Sequence, residues 1–300
     1  MFTIGKYIPN MFRHFLMSHC HTFYINRQWQ RRYGYKIDWR HPRDINECIQ
    51  WTLCFGDQDR MAICADKYAV RQYLQDKGLG GMLIPLYGRW DSASDIDFDS
   101  LPDKFVLKCN HDSGSYQFID KAQHFCKEAV IKDLNEHLKI KYGYVHGELY
   151  YNHIKPCVIA EQWLSQEEHP FTQSLIDYKV WCFNGQPYCV WTYHNRTREY
   201  VYMNIYDMDW QPHPEFLVAT EHYRDGGGII PRPKNLQQML DAASVISQGF
   251  PEARVDFYIV KDRLYFGEIT FATSCGYIDH VQSSYLQEMG RKCNITGTHE

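Results

Sequence analysis

Apolar residues recur along this chain with two different periods, which predict helices first and strands afterwards. From about Ile45 to Leu79 the spacing is helical until two glycines end the pattern, which predicts two helices joined around Gly56. Short apolar runs of strand type follow in "MLIPLYGRW", "KFVLKCN" and "KPCVIAEQWL". Between the second and third runs, residues 120–141 are typical of a helix. This half of the chain therefore mixes helices with short strands.

The second half of the chain is richer in strand patterns. Alternating aromatic residues flank Asn184-Gly185, which predicts a β-hairpin with a type I′ turn. Residues 196–233 are weakly patterned and favour a long loop, either contacting substrate or merely solvated. "NLQQMLDAASVISQGF" then predicts an amphipathic helix, and "ARVDFYIVKDRLYFGEITF" predicts strand, turn and strand. The pattern as a whole is that of an α+β protein.

The composition indicates a globular chain of 300 residues, 44% hydrophobic, 16% aromatic and 23% charged. A net charge of -4 gives no general attraction to nucleic acid, which we exclude as the expected partner. The 11 cysteines include no CxxC pair, which favours a reducing compartment. No apolar run approaches the roughly 18 residues of a membrane span, and the start lacks a signal-peptide pattern, so a cytoplasmic protein is expected.

Residues 1–36 mix aromatic and aliphatic side chains with basic ones. Two interpretations are open. The segment could settle on the anionic inner surface of a membrane, or it could form a helix packed on the body with its basic face in water.

The last predicted hairpin carries the clearest chemistry, because Asp256 and Glu268 each interrupt an apolar strand. A three-residue turn would set the two carboxylates opposite each other on one face, whereas a two-residue turn would separate them. Facing carboxylates need a cation beside them, and magnesium prefers carboxylates, water and phosphate oxygens. The alternative is an ion pair with Arg254 or another basic residue.

"FVLKCNHDSGS" ends an apolar run on Lys108 and continues with Ser113-Gly114-Ser115. Backbone N–H groups of such a turn can bind an anion while the ammonium neutralises it, although the P-loop sequence is absent. Glu161 closes another strand and is either a nucleotide contact or an exposed strand end. Asp177 and Lys179 lie two residues apart on one face, either as a cross-strand ion pair or near a nucleotide.

Other motifs are weaker. His146, Glu148 and His153 do not match a zinc signature and are expected at the surface. The GxSxG motif of serine hydrolases is missing. Asp95 and Asp97 form a DxD, as in many glycosyltransferases that use sugar nucleotides, but they follow a polar stretch and are expected in a solvated loop.

Taken in order, these motifs resemble the TupA-like ATP-grasp family, named for a teichuronopeptide-synthesis protein. The resemblance covers roughly residues 40–276 and is carried by "PRDINECIQW", "ADKYAVRQYL", "LIPLYGRWDSASDIDFDSLPDKFVLKCNHDSGS", "CVIAEQW", "DYKVWCFNGQP" and "ARVDFYIVKDRLYFGEITF". It implies an ATP-grasp fold, in which two α+β lobes clamp a nucleotide, after a mainly helical N-terminal region. The expected divisions are 1–80 (helical), 81–160 (small lobe) and 161–300 (lobe with the metal site).

The resemblance also implies a role for each matching residue. Lys67 and Lys108 would contact phosphates, beneath a flexible lid formed by Asp112, Ser113, Gly114 and Ser115. Glu161 would contact the adenine, and Asp177 and Lys179 would lie near the ribose and phosphates. Asp256 and Glu268 would bind Mg²⁺, and Arg254 would steady the transferring phosphate or the substrate.

The implied reaction is ATP-dependent joining of a carboxylate to an amine through an acyl phosphate, with ADP and phosphate as products. Two departures concern the metal motif. Thr270 stands where many ATP-grasp enzymes have an asparagine ligand, and "ATSCG" replaces the usual proline-containing loop. The family context suggests an amino acid or amine joined to a uronic acid in bacterial surface polysaccharide biosynthesis, such as that of capsule or lipopolysaccharide. Arg196, Arg198 and Arg224 are candidates for binding the acidic substrate.

Three hypotheses follow from the sequence. The first is an ATP-dependent carboxylate–amine ligase. The second is a glycosyltransferase acting through Asp95 and Asp97, and the third is an ATP-binding scaffold without turnover.

Overall fold

A computed structural model of the chain describes residues 10–165 and 171–295. Its helices are α1 (Asn10–His19), α2 (His21–Tyr33), α3 (Ile45–Phe55), α4 (Gln58–Ala65), α5 (Val70–Asp76), α6 (Lys127–His137), α7 (Gly143–His146), α8 (Leu236–Ser247) and α9 (Ser283–Lys292). Its strands are β1 (Leu86–Trp90), β2 (Lys104–Cys109), β3 (Gln117–Asp120), β4 (Val158–Gln162), β5 (Asp177–Phe183), β6 (Gln186–His194), β7 (Val201–Tyr206), β8 (Tyr223–Asp225), β9 (Glu252–Val260) and β10 (Arg263–Thr270).

The strands form two sheets. A four-stranded antiparallel sheet has the order β1-β4-β2-β3, and a six-stranded sheet has the order β10-β9-β5-β6-β7-β8. Among the described strands of the larger sheet, only β7 and β8 pair in parallel. The sheets use separate stretches of chain, but the three-part division expected from the sequence remains a prediction.

The larger sheet carries most of the core. Helix α8 contacts β5, β6 and β9, while Trp181 and Trp191 are completely buried and lie with ring centroids 5.0 Å apart. The smaller sheet has a core of its own, in which Phe105 and Leu107 of β2 are fully buried. Burial of alternate residues in β2 follows from the period of two in a strand with one packed face.

The N-terminal helices pack on the body of the protein. Met17, Tyr24, Ile25 and Trp29 are buried, and Tyr277 packs against this cluster. The basic residues expected to face water are exposed, namely Arg27, Arg31, Arg32 and Lys36. This confirms the packed interpretation for the part of the 1–36 segment that is described, while residues 1–9 lie outside it. No helix in the described stretches has the length and apolar character needed to cross a bilayer.

The sequence between Ile45 and Leu79 forms three helices, so the prediction of two was wrong. The unexpected break lies at Asp66, whose Oδ1 accepts hydrogen bonds from the backbone N–H groups of Tyr68 and Ala69 at 2.7 and 3.1 Å. Asp66 is the C-cap of α4, and its side chain fixes the turn that leads into α5. The break leaves Lys67 in the turn between α4 and α5.

Two other regions also differ from the prediction. In the predicted 120–141 helix, α6 begins only at Lys127, and strand β3 precedes it. The predicted loop 196–233 contains β7 and β8, which extend the large sheet. The run "VYMNIY" is short and almost continuously buried, and its hydrogen-bond partners come from β6 and β8, which the local pattern does not reveal.

Both predicted hairpins are present. Asn184 and Gly185 form the β5–β6 turn with φ of 50° and 79°, which confirms the type I′ expectation. Strands β9 and β10 form the second hairpin, the element that carries the candidate metal ligands.

Candidate active site

Asp256 and Glu268 lie directly opposite each other in the β9–β10 hairpin. The facing arrangement was predicted from a three-residue turn, and that premise was wrong. The turn has two residues, Lys261 and Asp262, with φ of 52° and 57°, and Arg263 pairs with Val260. A β-bulge between Phe266 and Glu268 then shifts the register by one residue and restores the pairing.

The bulge residue is Gly267. A Cβ on this residue would lie 3.0 Å from the carbonyl oxygen of Asp256 and 3.0 Å from the Tyr258 ring. The close approach of the neighbouring strand therefore explains a glycine at the position that aligns the two carboxylates.

Arg254 binds both carboxylates from the same face of the sheet. Its guanidinium donates to Asp256 through Nε at 2.7 Å and through NH2 at 2.8 Å, and it lies 3.4 Å from Glu268. Lys179 of β5 donates to the same carboxylate of Asp256. The arrangement matches the ion-pair alternative of the sequence analysis, and its cations hold the pKa of the buried Asp256 carboxyl below its usual value although burial opposes them.

Thr270 and Thr273 complete the surroundings of Arg254. Their hydroxyls lie 3.0 and 2.9 Å from its terminal nitrogens, and the Thr270 hydroxyl also donates to Glu268 at 3.2 Å. The guanidinium is therefore fixed in one orientation, with its charge at the centre of the carboxylate pair.

Lys67 enters the site from the turn between α4 and α5. Its turn is tied to the end of β2, because Asn110 donates to Asp66 at 2.8 Å and the Lys67 backbone N–H donates to the Asn110 carbonyl at 3.1 Å. The Lys67 ammonium donates to the carbonyl of Asp112. Lys67 thus bridges the helical region and the loop that follows β2.

The Lys67 ammonium interacts electrostatically with residues of both sheets. Burial lowers the pKa of Lys67, while the negative charge of Glu268 raises it and the positive charge of Lys108 lowers it. Side chains from the helical turn, β2 and β10 therefore act on one another electrostatically. This convergence was predicted from the sequence only through the family resemblance.

The loop after β2 is held from inside. Asp112 is buried, and its carboxylate accepts from the Ser115 hydroxyl at 2.5 Å and lies 2.6 Å from His137 Nδ1. Ser115 Oγ also accepts from the backbone N–H of Cys109 at 2.9 Å. Asp112 and Ser115 therefore point inward and fix the base of the loop, so that Ser113 and Gly114 are the exposed tip. Gly114 has a φ of 99°, which favours glycine there.

Lys108 forms an ion pair of 2.6 Å with Glu161. Arg71 of α5 binds the other oxygen of the same carboxylate at 3.1 Å. Glu161 is buried, which excludes the alternative of an exposed strand end. Arg71 could not be identified from the sequence, because it occupies an ordinary polar position of α5.

Asp177 and Lys179 occupy the edge of the site on β5. Lys179 lies 3.7 Å from Asp177, and Arg196 binds Asp177 at 2.9 Å. Arg196 also lies over the Tyr193 ring, 5.3 Å from its centroid. Of the three arginines suggested for substrate binding, Arg196 is therefore next to the site, while Arg224 stacks on Tyr200.

Glu148 was expected at the surface and is instead buried. Its carboxylate accepts from the Tyr150 hydroxyl at 2.6 Å and lies 3.9 Å from the Cys275 thiol. Burial raises the pKa of Glu148 to about 7, and the charge of Glu268 contributes in the same direction. The sequence feature that could have indicated this burial is the tyrosine-rich stretch "ELYYN", which is typical of a packed segment. His153 is about half exposed beside Asp59, as expected, and the His146 side chain lies outside the described residues.

The DxD segment is a surface loop. Asp95 and Asp97 are exposed, while Ile96 and Phe98 between and after them are buried. Asp97 accepts from the backbone N–H of Asp99 at 3.1 Å, an arrangement typical of a turn. The prediction of a solvated loop is confirmed.

The donor set for a cation is small. Across residues 10–165 and 171–295, no three His, Cys, Asp or Glu side chains are grouped as a metal site. Magnesium usually takes one or two protein carboxylates and completes its coordination with water and phosphate oxygens. Glu268 is about half exposed, with a side-chain exposure of 48%, and faces Asp256. A magnesium ion shared with phosphates would use Glu268 together with Asp256, whose two oxygens are bound here by Arg254 and Lys179, with the Thr270 hydroxyl as a weak third donor.

Comparison with solved structures gives distant similarities. The chain is similar to a D-alanine--D-alanine ligase from Bacillus anthracis complexed with ATP (16% identity, 70% of this chain and 55% of that chain, TM-score 0.40). It is also similar to an L-amino acid ligase from Bacillus licheniformis (13%, 84% and 55%, TM-score 0.47) and to a biotin carboxylase–ATP complex from Campylobacter jejuni (12%, 85% and 53%, TM-score 0.43). The chain spans a little over half of the length of each of these proteins.

Comparison with curated proteins gives no significant match. The family comparison is specific, since the sequence model of the TupA-like ATPgrasp family matches residues 47–294. That stretch contains both sheets, the loop after β2 and the β9–β10 hairpin. The α+β architecture and this match agree with the resemblance found in the sequence, and the chain belongs to the TupA-like ATP-grasp family.

Proposed function

We propose that the protein is an ATP-dependent ligase that joins a carboxylate to an amine. The observation that carries the proposal is that Lys67 interacts electrostatically with both Lys108 and Glu268, and Glu268 faces Asp256 across the hairpin. Cations on one side and metal-binding carboxylates on the other are what a triphosphate–magnesium complex requires. Family membership supports the use of ATP.

The reaction proceeds in two steps. A carboxylate oxygen of the acid attacks the γ-phosphorus of ATP, an O–P bond forms, and ADP leaves with the electrons of the broken bond. The amine nitrogen then attacks the acyl phosphate carbon, a C–N bond forms, phosphate leaves, and the nitrogen gives up a proton. Neither step needs a covalent bond to the protein, which agrees with the lack of a hydrolase motif.

The residues of the site stabilise charge in these steps. Lys67 and Lys108 bind the phosphate oxygens, and the exposed loop tip at Ser113 and Gly114 closes over them. Arg254, held between Asp256 and Glu268, faces the phosphoryl group during transfer. Asp256 and Glu268 would hold magnesium, which supplies further neutralisation of the phosphate charge.

Glu161, Asp177 and Lys179 are proposed to contact the nucleotide. Glu161 is well placed for the adenine amino group because its two cations fix its orientation at the end of β4. Lys179 and Asp177 lie one strand from the metal pair and suit the ribose or phosphates.

The substrate class rests on the family resemblance alone, which is an associational argument. It favours a uronic acid as the acid and an amino acid or other amine as the acceptor, in the synthesis of a bacterial surface polysaccharide. A cytoplasmic location remains part of the same hypothesis.

The test is calorimetric titration with ATP, with and without Mg²⁺, followed by titration with sugar nucleotides. The ligase hypothesis predicts magnesium-dependent ATP binding that is lost in Asp256→Asn and kept in Asp97→Asn. Release of ADP in the presence of uronic acids and amino acids would then establish turnover. Binding of a sugar nucleotide but not ATP would reverse the conclusion in favour of the glycosyltransferase. ATP binding without ADP release from any acid and amine would support a scaffold.

A further inference from the structure

The structure assigns the side-chain cluster around Glu148 as a binding site for a primary ammonium group, and we propose that it receives the amine substrate. This inference rests on the proposed ligase function, but it concerns a site that the ATP-binding residues do not include. The cluster consists of Glu148, the three tyrosines Tyr142, Tyr150 and Tyr151, and Cys275.

Glu148 is a buried carboxylate with neutral hydrogen-bond partners. The residue is 7% exposed and accepts from Tyr150, with the Cys275 thiol at 3.9 Å. Among the residues that the structure describes, the Lys and Arg side chains that form ion pairs do so with carboxylates other than Glu148. The charged residue that interacts electrostatically with Glu148 is Glu268, which is also negative. A buried carboxylate in such surroundings is costly until a cation pairs with it.

The aromatic rings suit a cation as well. Tyr142 and Tyr151 meet edge to face with centroids 4.9 Å apart, and the Tyr150 and Tyr151 centroids are 4.6 Å apart. Tyr142 and Tyr151 are partly exposed, whereas Glu148 and Tyr150 are buried. Aromatic rings beside a carboxylate attract an ammonium through their quadrupoles in addition to the charge.

The cluster interacts with both the loop tip and the β9–β10 hairpin. Burial and the charge of Glu148 raise the pKa of Tyr142, whereas the Ser113 side chain at the loop tip lowers it. Tyr151 is influenced electrostatically by both Glu148 and Glu268. An amine bound here would therefore be next to the phosphates that the loop and the β9–β10 hairpin are proposed to hold.

The backbone of the cluster is strained at Cys275. Ser274 and Cys275 have φ of 50° and 54°, which non-glycine residues rarely adopt in succession, and Gly276 follows with 71°. Gln50 holds this turn by donating to the Cys275 carbonyl at 2.8 Å. Such strain persists where surrounding contacts enforce it, and it is concentrated at binding sites. Here it presents the Cys275 thiol to Glu148.

The test uses glycinamide, a primary ammonium without a carboxylate, and acetamide as its neutral counterpart. Binding to the full chain is measured by ligand-detected NMR titration, with and without AMP-PNP and Mg²⁺. We expect glycinamide to bind and acetamide not to bind. Glu148→Gln should weaken glycinamide binding about tenfold or more, as expected for loss of a charge-assisted contact.

Three controls make the result decisive. Glu136→Gln removes the same charge from an exposed position of α6 and should leave glycinamide binding unchanged. Glu148→Asp keeps the charge and should bind more weakly than wild type but better than Glu148→Gln. Thermal unfolding of each variant reports whether the fold is kept.

Absence of glycinamide binding, or equal binding by wild type and Glu148→Gln, would overturn the ammonium site. Failure of the nucleotide proposal gives a different result, because AMP-PNP would then fail to bind wild type while glycinamide still distinguishes Glu148→Gln from Glu136→Gln.

Discussion

Lys108 on β2 and Glu161 on β4 are joined diagonally across neighbouring antiparallel strands, with Nζ 2.6 Å from Oε2. The carboxylate is buried and is also bound by Arg71. Two cations on one carboxylate leave a net positive charge at the edge of the site. This excess charge is what an incoming phosphate would meet, so the ion pair orients Lys108 without cancelling its attraction for an anion.

Replacing Lys108 with methionine should weaken Mg²⁺-ATP binding by about tenfold to a hundredfold, the effect of losing one charge-assisted contact. Glu161 keeps Arg71 as a partner in this variant, so the fold should survive. Isothermal titration calorimetry measures the change. Lys104→Met is the matched control, because Lys104 lies on the same strand but is exposed and pairs with Asp120. Equal losses in the two variants would contradict a phosphate role for Lys108.

The pairing of Asp256 with Glu268 illustrates what the sequence could predict. Both carboxylates interrupt apolar strands, so their shared face could be expected from the cost of burying a charge. The actual register depends on a two-residue turn followed by a bulge at Gly267. A lone glycine inside a strand pattern is a signal for a bulge, and this one could have been used.

Arg71 and Glu148 show where local patterns stop being informative. Arg71 reaches a carboxylate 90 positions away, and nothing in its own helix marks it. Glu148 is buried because the segment around Tyr150 packs against Phe271 and the turn at Cys275. Burial of a polar residue through contacts distant in sequence is not contained in the local period.

The raised pKa of Glu148, about 7, gives a testable dependence of stability on pH. The native carboxyl keeps its proton where the unfolded one, with an ordinary pKa near 4.5, has lost it. Its contribution to stability is therefore fully present below pH 4.5 and is lost as the pH rises through about 7. Glu148→Gln cannot lose a proton and so does not show this loss. As the pH rises from 4.5 to 8, its free energy of unfolding relative to that of wild type should therefore increase by about 3 kcal/mol.

Urea denaturation at pH 5 and pH 8 measures this difference for Glu148→Gln. The exposed Glu136→Gln should show almost no relative change over the same range. A Glu148→Gln variant whose stability relative to wild type is the same at both pH values would mean that Glu148 is ionised and compensated in the native protein. A saturating ammonium ligand should reduce the difference at pH 8, since it pairs with the wild-type carboxylate.

The hydroxyl of Ser115 should stabilise the base of the loop. It donates to Asp112 and accepts from the Cys109 backbone, and the residue is 3% exposed. Ser115→Ala leaves two buried groups with one partner fewer and should lower the free energy of unfolding by about 1 to 3 kcal/mol. Ser113→Ala, at the exposed tip, should change it by less than about 0.5 kcal/mol. Urea denaturation at pH 7 compares them, and similar values for both variants would argue against an internally fixed loop.

His280 should make the protein sensitive to acid. The residue is 1% exposed, both ring nitrogens are without hydrogen-bond partners, and the ring stacks on Tyr223 at 3.6 Å. Asp279 lies 3.8 Å from Nδ1, too far to offset burial, which lowers the pKa of His280 to about 4. The unfolded imidazole, with a pKa near 6.5, then binds a proton over a range in which the native one does not.

The sign of the effect follows from this difference in proton binding. The contribution of the neutral His280 to stability is fully present above pH 6.5 and is lost as the pH falls through about 4. This contribution totals about 3 kcal/mol. His280→Phe keeps an aromatic ring against Tyr223 and cannot be protonated. Its stability relative to wild type should therefore rise as the pH falls from 7 to 4.5. His124→Phe, at an exposed position, should show no such trend. Denaturation curves at the two pH values decide the matter, because a flat difference for His280→Phe would mean that the native protein accommodates the imidazolium.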